Sequence, residues 1–163
     1  MHAMQLSVEH LRMSAFLVKM YLDDFSDAEF LIPPAPGCNP VAWQMGHLIV
    51  SQNSIIEKLK PGSGIALPEG FEKRHSKEGA ADHEAPGYLT KAEYLGLFDQ
   101  VMEAAQRFVL GLTEADLDQP CPPGMPPMFP TVASAVVLLA SHPLMHAGQF
   151  VPLRRKLGKP IKI

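Results

Sequence analysis

The stretch from Thr131 to Gly158, TVASAVVLLASHPLMHAGQFVPLRRKLG, decides the fold class and contains part of a candidate site. Its apolar positions alternate between spacings of four and three residues, which is the pattern of a helix that packs one face against a core. Gly158, with Pro160 two residues later, is a typical helix end. The stretch therefore predicts one long helix. The positions of its buried stripe are Val132, Val136, Leu139, Pro143, His146, Phe150, Leu153 and Leu157.

Two segments in the first half of the chain carry the same spacing. One runs from about Leu6 to Phe25. The other begins at Asn39 and Pro40, where an Asn cap precedes proline at the first helical position, and it ends at Pro61. Both segments predict amphipathic helices.

A third segment opens at Thr90, with Glu93 three residues later as a capping box, and it keeps the spacing as far as Leu112. The sequence shows no strand alternation of any length and no internal repeat. Four amphipathic helices without strands predict an all-α fold, a four-helix bundle.

Two long connections join these helices. The first, from Pro61 to Leu89, is too polar and too rich in glycine and proline for another core helix. A connection of this length is unusual unless it crosses a domain or covers a site. The second, from Thr113 to Pro130, is crowded with proline. We therefore expect a bundle with a long crossover between helices 2 and 3, built as a single domain over residues 1–163.

Composition excludes several classes of partner. Hydrophobic residues make up 47% of the chain and charged residues 19%, as in a soluble globular protein. The net charge of −3 argues against nucleic-acid binding. No apolar run approaches the ~20 residues of a membrane span, and Met1 to Gln5 does not have the pattern of a secretory signal.

Cys38 and Cys121 lie far apart in the sequence, and we interpret them as reduced thiols. We expect a cytoplasmic protein without a membrane partner.

Three histidines form the candidate site. His142 and His146 are four residues apart and project from the same face of the predicted fourth helix. His47 lies at the edge of the apolar stripe of the second helix. Three imidazoles on facing helices leave a coordination position open for water or substrate, which is typical of catalytic rather than structural metal sites. Zinc, nickel, iron(II) and copper all suit nitrogen ligands. The alternative is a set of hydrogen-bonded core histidines.

Pro143 separates this pattern from that of the zinc proteases, which need Glu directly after the first His. It also removes the backbone hydrogen bond to the carbonyl of Leu139. Pro152 likewise removes the backbone hydrogen bond to the carbonyl of Gly148, and the small residue there relieves the clash with the proline ring. We therefore predict a kinked or locally opened helix, in which a water or a side chain donates a hydrogen bond to the Leu139 carbonyl.

Three neighbours are candidates for the surroundings of the site. Trp43 lines a pocket or anchors the helix contact, and Gln149 orients a ring nitrogen of His146 or bonds backbone. Ser51, one turn after His47, is a further partner or a packing residue. In the rest of the chain, we expect solvent-exposed side chains at His75, His83 and the acidic run Asp23, Asp24, Asp27 and Glu29.

The chain resembles the DinB-like (DNA-damage-inducible) superfamily of metal-binding four-helix bundles. The resemblance is carried by WQMGHLIVS (Trp43–Ser51) and HPLMHAGQFVPLRRKLGKP (His142–Pro160), with weaker support from Pro36–Pro40 and Leu67–Phe71. It implies a crossover after the second helix and frequent homodimers. It also implies a divalent metal, most often zinc or nickel, with iron as a further option, held by His47, His142 and His146. Pro143 and Pro152 depart from the pattern of relatives.

The resemblance also implies a class of activity. Relatives include S-transferases that use bacillithiol, mycothiol or glutathione, a mycothiol-dependent maleylpyruvate isomerase, and metal-dependent hydrolases. The leading hypothesis is a metal-dependent enzyme that activates a low-molecular-weight thiol for attack on an electrophilic small molecule. The alternatives are a hydrolase in which the ion generates hydroxide and a non-catalytic protein that binds a metal or small molecule. Arg154 and Arg155 are either solvated or bind a carboxylate of an anionic thiol, with the solvated position as the default.

Overall fold

A computed structural model describes residues 2–77 and 87–163. Over these residues the chain forms seven helices and no strand, so the predicted all-α class is confirmed. Four helices are long: α1 (Ala3–Leu22), α3 (Val41–Leu59), α5 (Lys91–Leu110) and α7 (Val132–Lys156). Three are single turns: α2 (Asp27–Phe30), α4 (Phe71–Arg74) and α6 (Glu114–Leu117).

The four long helices pack side by side around one apolar core. Helix α1 contacts α5 and α7, and α3 contacts the same two helices. The core between them is filled by large side chains that are completely or almost completely buried, among them Leu11, Met45, Tyr94, Phe98 and Phe150.

Helix α7 is long and apolar enough, by length and composition alone, to cross a membrane, which the sequence analysis did not predict. Its packing against α1 and α3 is that of a core helix.

Among the long helices, α5 and α7 start at a side-chain cap, whereas α3 does not. The Thr90 and Thr131 hydroxyls each accept a hydrogen bond from the backbone N–H three residues later, as an N-cap does. The predicted Asn39 cap is wrong: Pro40 occupies the cap position of α3, and its carbonyl accepts from the Gln44 N–H. The Asn39 carbonyl instead accepts from the Gln44 side chain.

Helix α1 starts at Ala3 and ends at Leu22, about three residues earlier at both ends than the periodicity predicts. Phe25, the last residue of the predicted stripe, is nonetheless buried. The stripe therefore continues into the turn that follows the helix, because apolar contact does not require helical backbone.

Helix α7 runs unbroken through Pro143 and Pro152, so the predicted local opening is not observed. The prediction of a side-chain partner for the Leu139 carbonyl is confirmed. The Nε2 of Gln52, on α3, donates to that carbonyl over 2.7 Å and replaces the N–H that Pro143 lacks. Gln52 is itself fully buried.

The first connection is not irregular throughout, because it contains α4. Phe71 of α4 reaches the core, and His75 is only 1% exposed, so the expectation of an exposed His75 is wrong. The Nδ1–H of His75 donates to the Phe71 carbonyl and the Tyr94 hydroxyl donates to Nε2, each over 2.8 Å. These bonds compensate for the burial of a polar ring. His83 lies outside the described residues.

The end of α7 also departs from expectation. Arg155 is exposed, but Arg154 is fully buried and forms a bidentate ion pair with Asp24. The guanidinium nitrogens lie 2.7 and 2.9 Å from the two carboxylate oxygens. Asp24 therefore does not belong to a merely solvated helix end. The buried guanidinium joins α7 to the segment that follows α1.

Candidate metal centre

Helices α3 and α7 bring His47, His142 and His146 into one group. One ring nitrogen of each lies within 4.8 Å of the other two. The Nε2 atoms of His142 and His146 are 3.2 Å apart. His146 is 7% exposed, and the other two rings are half-buried. The two α7 rings owe their proximity to their four-residue spacing, which places one above the other on the helix.

Burial keeps these rings in the neutral form. It lowers the pKa of His142 to about 4 and that of His146 to about 3, with a further contribution from neighbouring histidines. Burial also lowers the pKa of His47, against a hydrogen bond to the backbone of His75 that raises it. A neutral imidazole has a free lone pair on one nitrogen. All three side chains are therefore in the state that binds metal at neutral pH.

The group fits a divalent ion by its donors and by its spacing. Ligand nitrogens of a tetrahedral zinc ion at about 2.0 Å lie about 3.3 Å from one another. The Nε2 pair of His142 and His146 already has close to this separation. Within the described part of the chain, the group contains no carboxylate or thiolate, so an ion held here would keep its full positive charge.

Gln44, rather than Gln149, pairs with a site histidine. Gln44 is 1% exposed, and its Oε1 lies 3.0 Å from the Nδ1 of His146. Gln149 is exposed, so neither of its predicted roles is found. The available signal was the position of Gln44, three residues after Val41 and four before Leu48, which places it on the buried face of α3.

Trp43 forms a wall of the site. Its ring stacks on that of His47, with centroids 4.9 Å apart and planes inclined by 7°. Only 6% of Trp43 is exposed, and its buried Nε1–H has no hydrogen-bond partner in the part of the chain that the structure describes. Ser51 is half-buried one turn after His47. Across residues 2–77 and 87–163, its hydroxyl makes no hydrogen bond to the three rings.

The sequence analysis missed the close contact between His75 and α3. The His75 ring lies directly on Gly46, where a Cβ atom would collide with the ring carbon Cδ2. Burial lowers the pKa of His75 to about 4, so the ring is neutral at neutral pH. Glycine inside a helix costs stability relative to alanine. An interior glycine beside His47 was therefore a signal for close packing at this point.

Comparison with known proteins identifies the protein family. Residues 11–150 match the model of the DinB superfamily, and the chain belongs to this family. No curated protein matches it significantly. A crystal structure of a conserved protein of a locus from Enterococcus faecalis is similar, with a TM-score of 0.72 and 22% identity. That alignment covers 98% of this chain and 99% of the other. At this identity the likeness concerns the fold.

Proposed function

We propose that this protein is a metal-dependent enzyme that activates a low-molecular-weight thiol for transfer to an electrophilic small molecule. The observation that carries the proposal is the cluster of three neutral imidazoles, one buried and two half-buried, with no carboxylate in the group. Zinc or nickel is the proposed ion, with iron as a further option, because nitrogen ligands suit all three. Membership of the DinB superfamily agrees with a site of this kind.

The residues of the site would have distinct roles. His47, His142 and His146 would hold the ion, and Trp43 would keep the His47 ring in place by stacking. An ion bound by three neutral ligands would lower the pKa of a thiol, so that the thiolate is present at neutral pH. In the proposed reaction the thiol proton passes to solvent and the sulfur forms a bond to the electrophilic carbon. The leaving group then departs from that carbon with its electron pair.

The proposal extends to the assembly. The four long helices are proposed to form a four-helix bundle in which the segment between α3 and α5 is the crossover. A cytoplasmic homodimer acting on a small molecule is the proposed working state. Size-exclusion chromatography with light scattering tests the dimer.

Elemental analysis of protein purified without an affinity tag is the first test. We expect about one metal ion per chain in the parent and none in a His47→Ala/His142→Ala variant. His10→Ala, which removes an exposed histidine from α1, is the matched control and should keep the metal. An absence of metal from the folded parent would reduce the three histidines to core residues.

Thiol consumption is the second test. Metal-loaded parent should consume bacillithiol, mycothiol or glutathione in the presence of an electrophile panel, and the double variant should not. Turnover of an ester or amide without added thiol would replace the proposal by a metal-dependent hydrolase. A bound ion without any turnover would indicate a binding protein.

A further inference from the structure

Gln44 is a buried amide whose two ends are both engaged. Its Nε2 donates to the Asn39 carbonyl over 2.9 Å, and its Oε1 lies 3.0 Å from the Nδ1 of His146. A carbonyl only accepts hydrogen bonds, so the NH₂ end of the amide must face Asn39. The orientation of the amide follows from this contact, and the oxygen faces the His146 ring.

The amide oxygen determines where the proton of His146 lies. Oε1 only accepts, so the Nδ1 facing it must carry the hydrogen. In a neutral imidazole the other nitrogen is then the one with a free lone pair. This nitrogen is the Nε2 that lies 3.2 Å from the Nε2 of His142 and that, in the metal-free protein, accepts a hydrogen bond from it.

We propose that Gln44 is a positioning residue that holds His146 as the Nδ1–H tautomer and so directs its Nε2 lone pair towards the ion. The inference rests on the proposed metal site. Hydrogen bonds of this kind fix ring orientation, and their removal typically weakens metal binding. The two hydrogen bonds of the Gln44 side chain, to the Asn39 carbonyl and to the His146 ring, would fix the orientation of the ring before the ion binds.

Gln52 provides a matched control on the same helix. It is also a fully buried glutamine that donates to α7, but its partner is the Leu139 carbonyl rather than a ring. Gln52→Leu and Gln44→Leu therefore both remove a buried amide between α3 and α7. Only Gln44→Leu removes a contact with a proposed ligand.

The first measurement is the tautomer of His146 in metal-free protein, read from long-range ¹H–¹⁵N correlations of ¹⁵N-labelled histidine. We expect the Nδ1–H form in the parent and in Gln44→Glu, because a buried, protonated carboxyl group can donate to the Asn39 carbonyl and accept from Nδ1. Gln44→Leu should lose this preference. An Nε2–H form in the parent would overturn the inference, whatever the metal content.

The second measurement is the affinity for Zn²⁺ alone, by competition with a chelating dye. Gln44→Leu should weaken binding by about 10- to 100-fold, whereas Gln52→Leu and Gln44→Glu should retain it. Equal affinity in Gln44→Leu and the parent would overturn the inference. A parent with the Nδ1–H tautomer but no Zn²⁺ binding would overturn the proposed function together with the role of Gln44 towards the ion, leaving only the hydrogen bond.

Discussion

Gly46 shows how one missing Cβ determines the surroundings of the site. The His75 ring occupies the space that any side chain at position 46 would need. Gly46→Ala should therefore displace His75 and lower the free energy of unfolding by about 1–3 kcal/mol, a typical cost of overpacking. Urea unfolding followed by circular dichroism measures this.

Gly96 on α5 is the control for that substitution. A Cβ there meets no atom within 4 Å, and the residue is exposed. Gly96→Ala should raise stability by about 0.5–1 kcal/mol, because alanine is the better helix former. Equal effects of the two substitutions would contradict the close-packing account of Gly46.

The sequence predicts single residues well where the signal lies along one helix. His142 and His146 were identifiable as a pair because their spacing alone places them together. Gln44 and His75 were not identified, since their partners come from other segments. His146 lies 102 positions from Gln44, and Tyr94 lies 19 positions from His75. Pairing across segments depends on packing that periodicity does not encode.

At the level of the element, α7 tolerates Pro143 because α3 supplies a substitute donor. Pro143→Ala restores a backbone N–H for the Leu139 carbonyl, so Gln52 becomes less important. Gln52→Leu should cost about 1–3 kcal/mol in the parent, through an unpaired buried carbonyl. It should cost less in the Pro143→Ala background.

A double-mutant cycle over Gln52→Leu and Pro143→Ala tests this compensation. Urea unfolding of the four proteins should give a coupling energy of about 1 kcal/mol. Additive effects would mean that the Gln52 hydrogen bond does not compensate for the proline.

The four long helices were predictable from their apolar stripes, the start of α5 from its capping box, and the end of α7 from Gly158 and Pro160. The single turn α4 was not predictable in the same way. Its only buried residue is Phe71, within a stretch of polar composition. One apolar side chain has no periodicity, so its docking becomes visible only when the core that receives it is known.

At the level of the whole molecule, Arg154 connects distant parts of the chain. Besides its ion pair with Asp24, it donates to the Tyr21 carbonyl over 2.6 Å and to the Pro160 carbonyl over 2.8 Å. Asp24 and Arg154 are 130 positions apart. Arg154 lies four residues after Phe150 and three before Leu157, on the buried face of α7, whereas Arg155 does not. The sequence contains no sign of its distant partner Asp24, so both arginines were predicted as solvated.

Removal of either partner of this pair should be costly, for different reasons. Asp24→Ala leaves a charge buried without its counterion and should cost about 3–5 kcal/mol. Arg154→Met leaves a carboxylate that is 36% exposed, which water can solvate, but it also leaves the Tyr21 carbonyl without its donor, at a further cost of about 1–3 kcal/mol. Urea unfolding at neutral pH gives both values, and a negligible cost for either variant would contradict this account.

The same pair predicts acid sensitivity. The hydrogen bond from Arg154 lowers the pKa of Asp24 from 3.8 to about 2. Because the folded-state pKa is depressed, the stabilisation is complete above pH 3.8 and is lost as the pH falls towards 2. The stability of Asp24→Ala should therefore vary less than that of the parent over this range. A parallel decline in the two proteins would count against the assignment.

The distribution of the three histidines over two helices has a consequence for unfolding. An ion that joined His47 to His142 would close a loop of about 95 residues and so act as a reversible cross-link. Helices α3 and α7 would then separate only after the ion had left one of them. The lifetime of the folded, loaded chain would depend on the rate of metal release, and a chelator would shorten it without touching any contact in the apolar core.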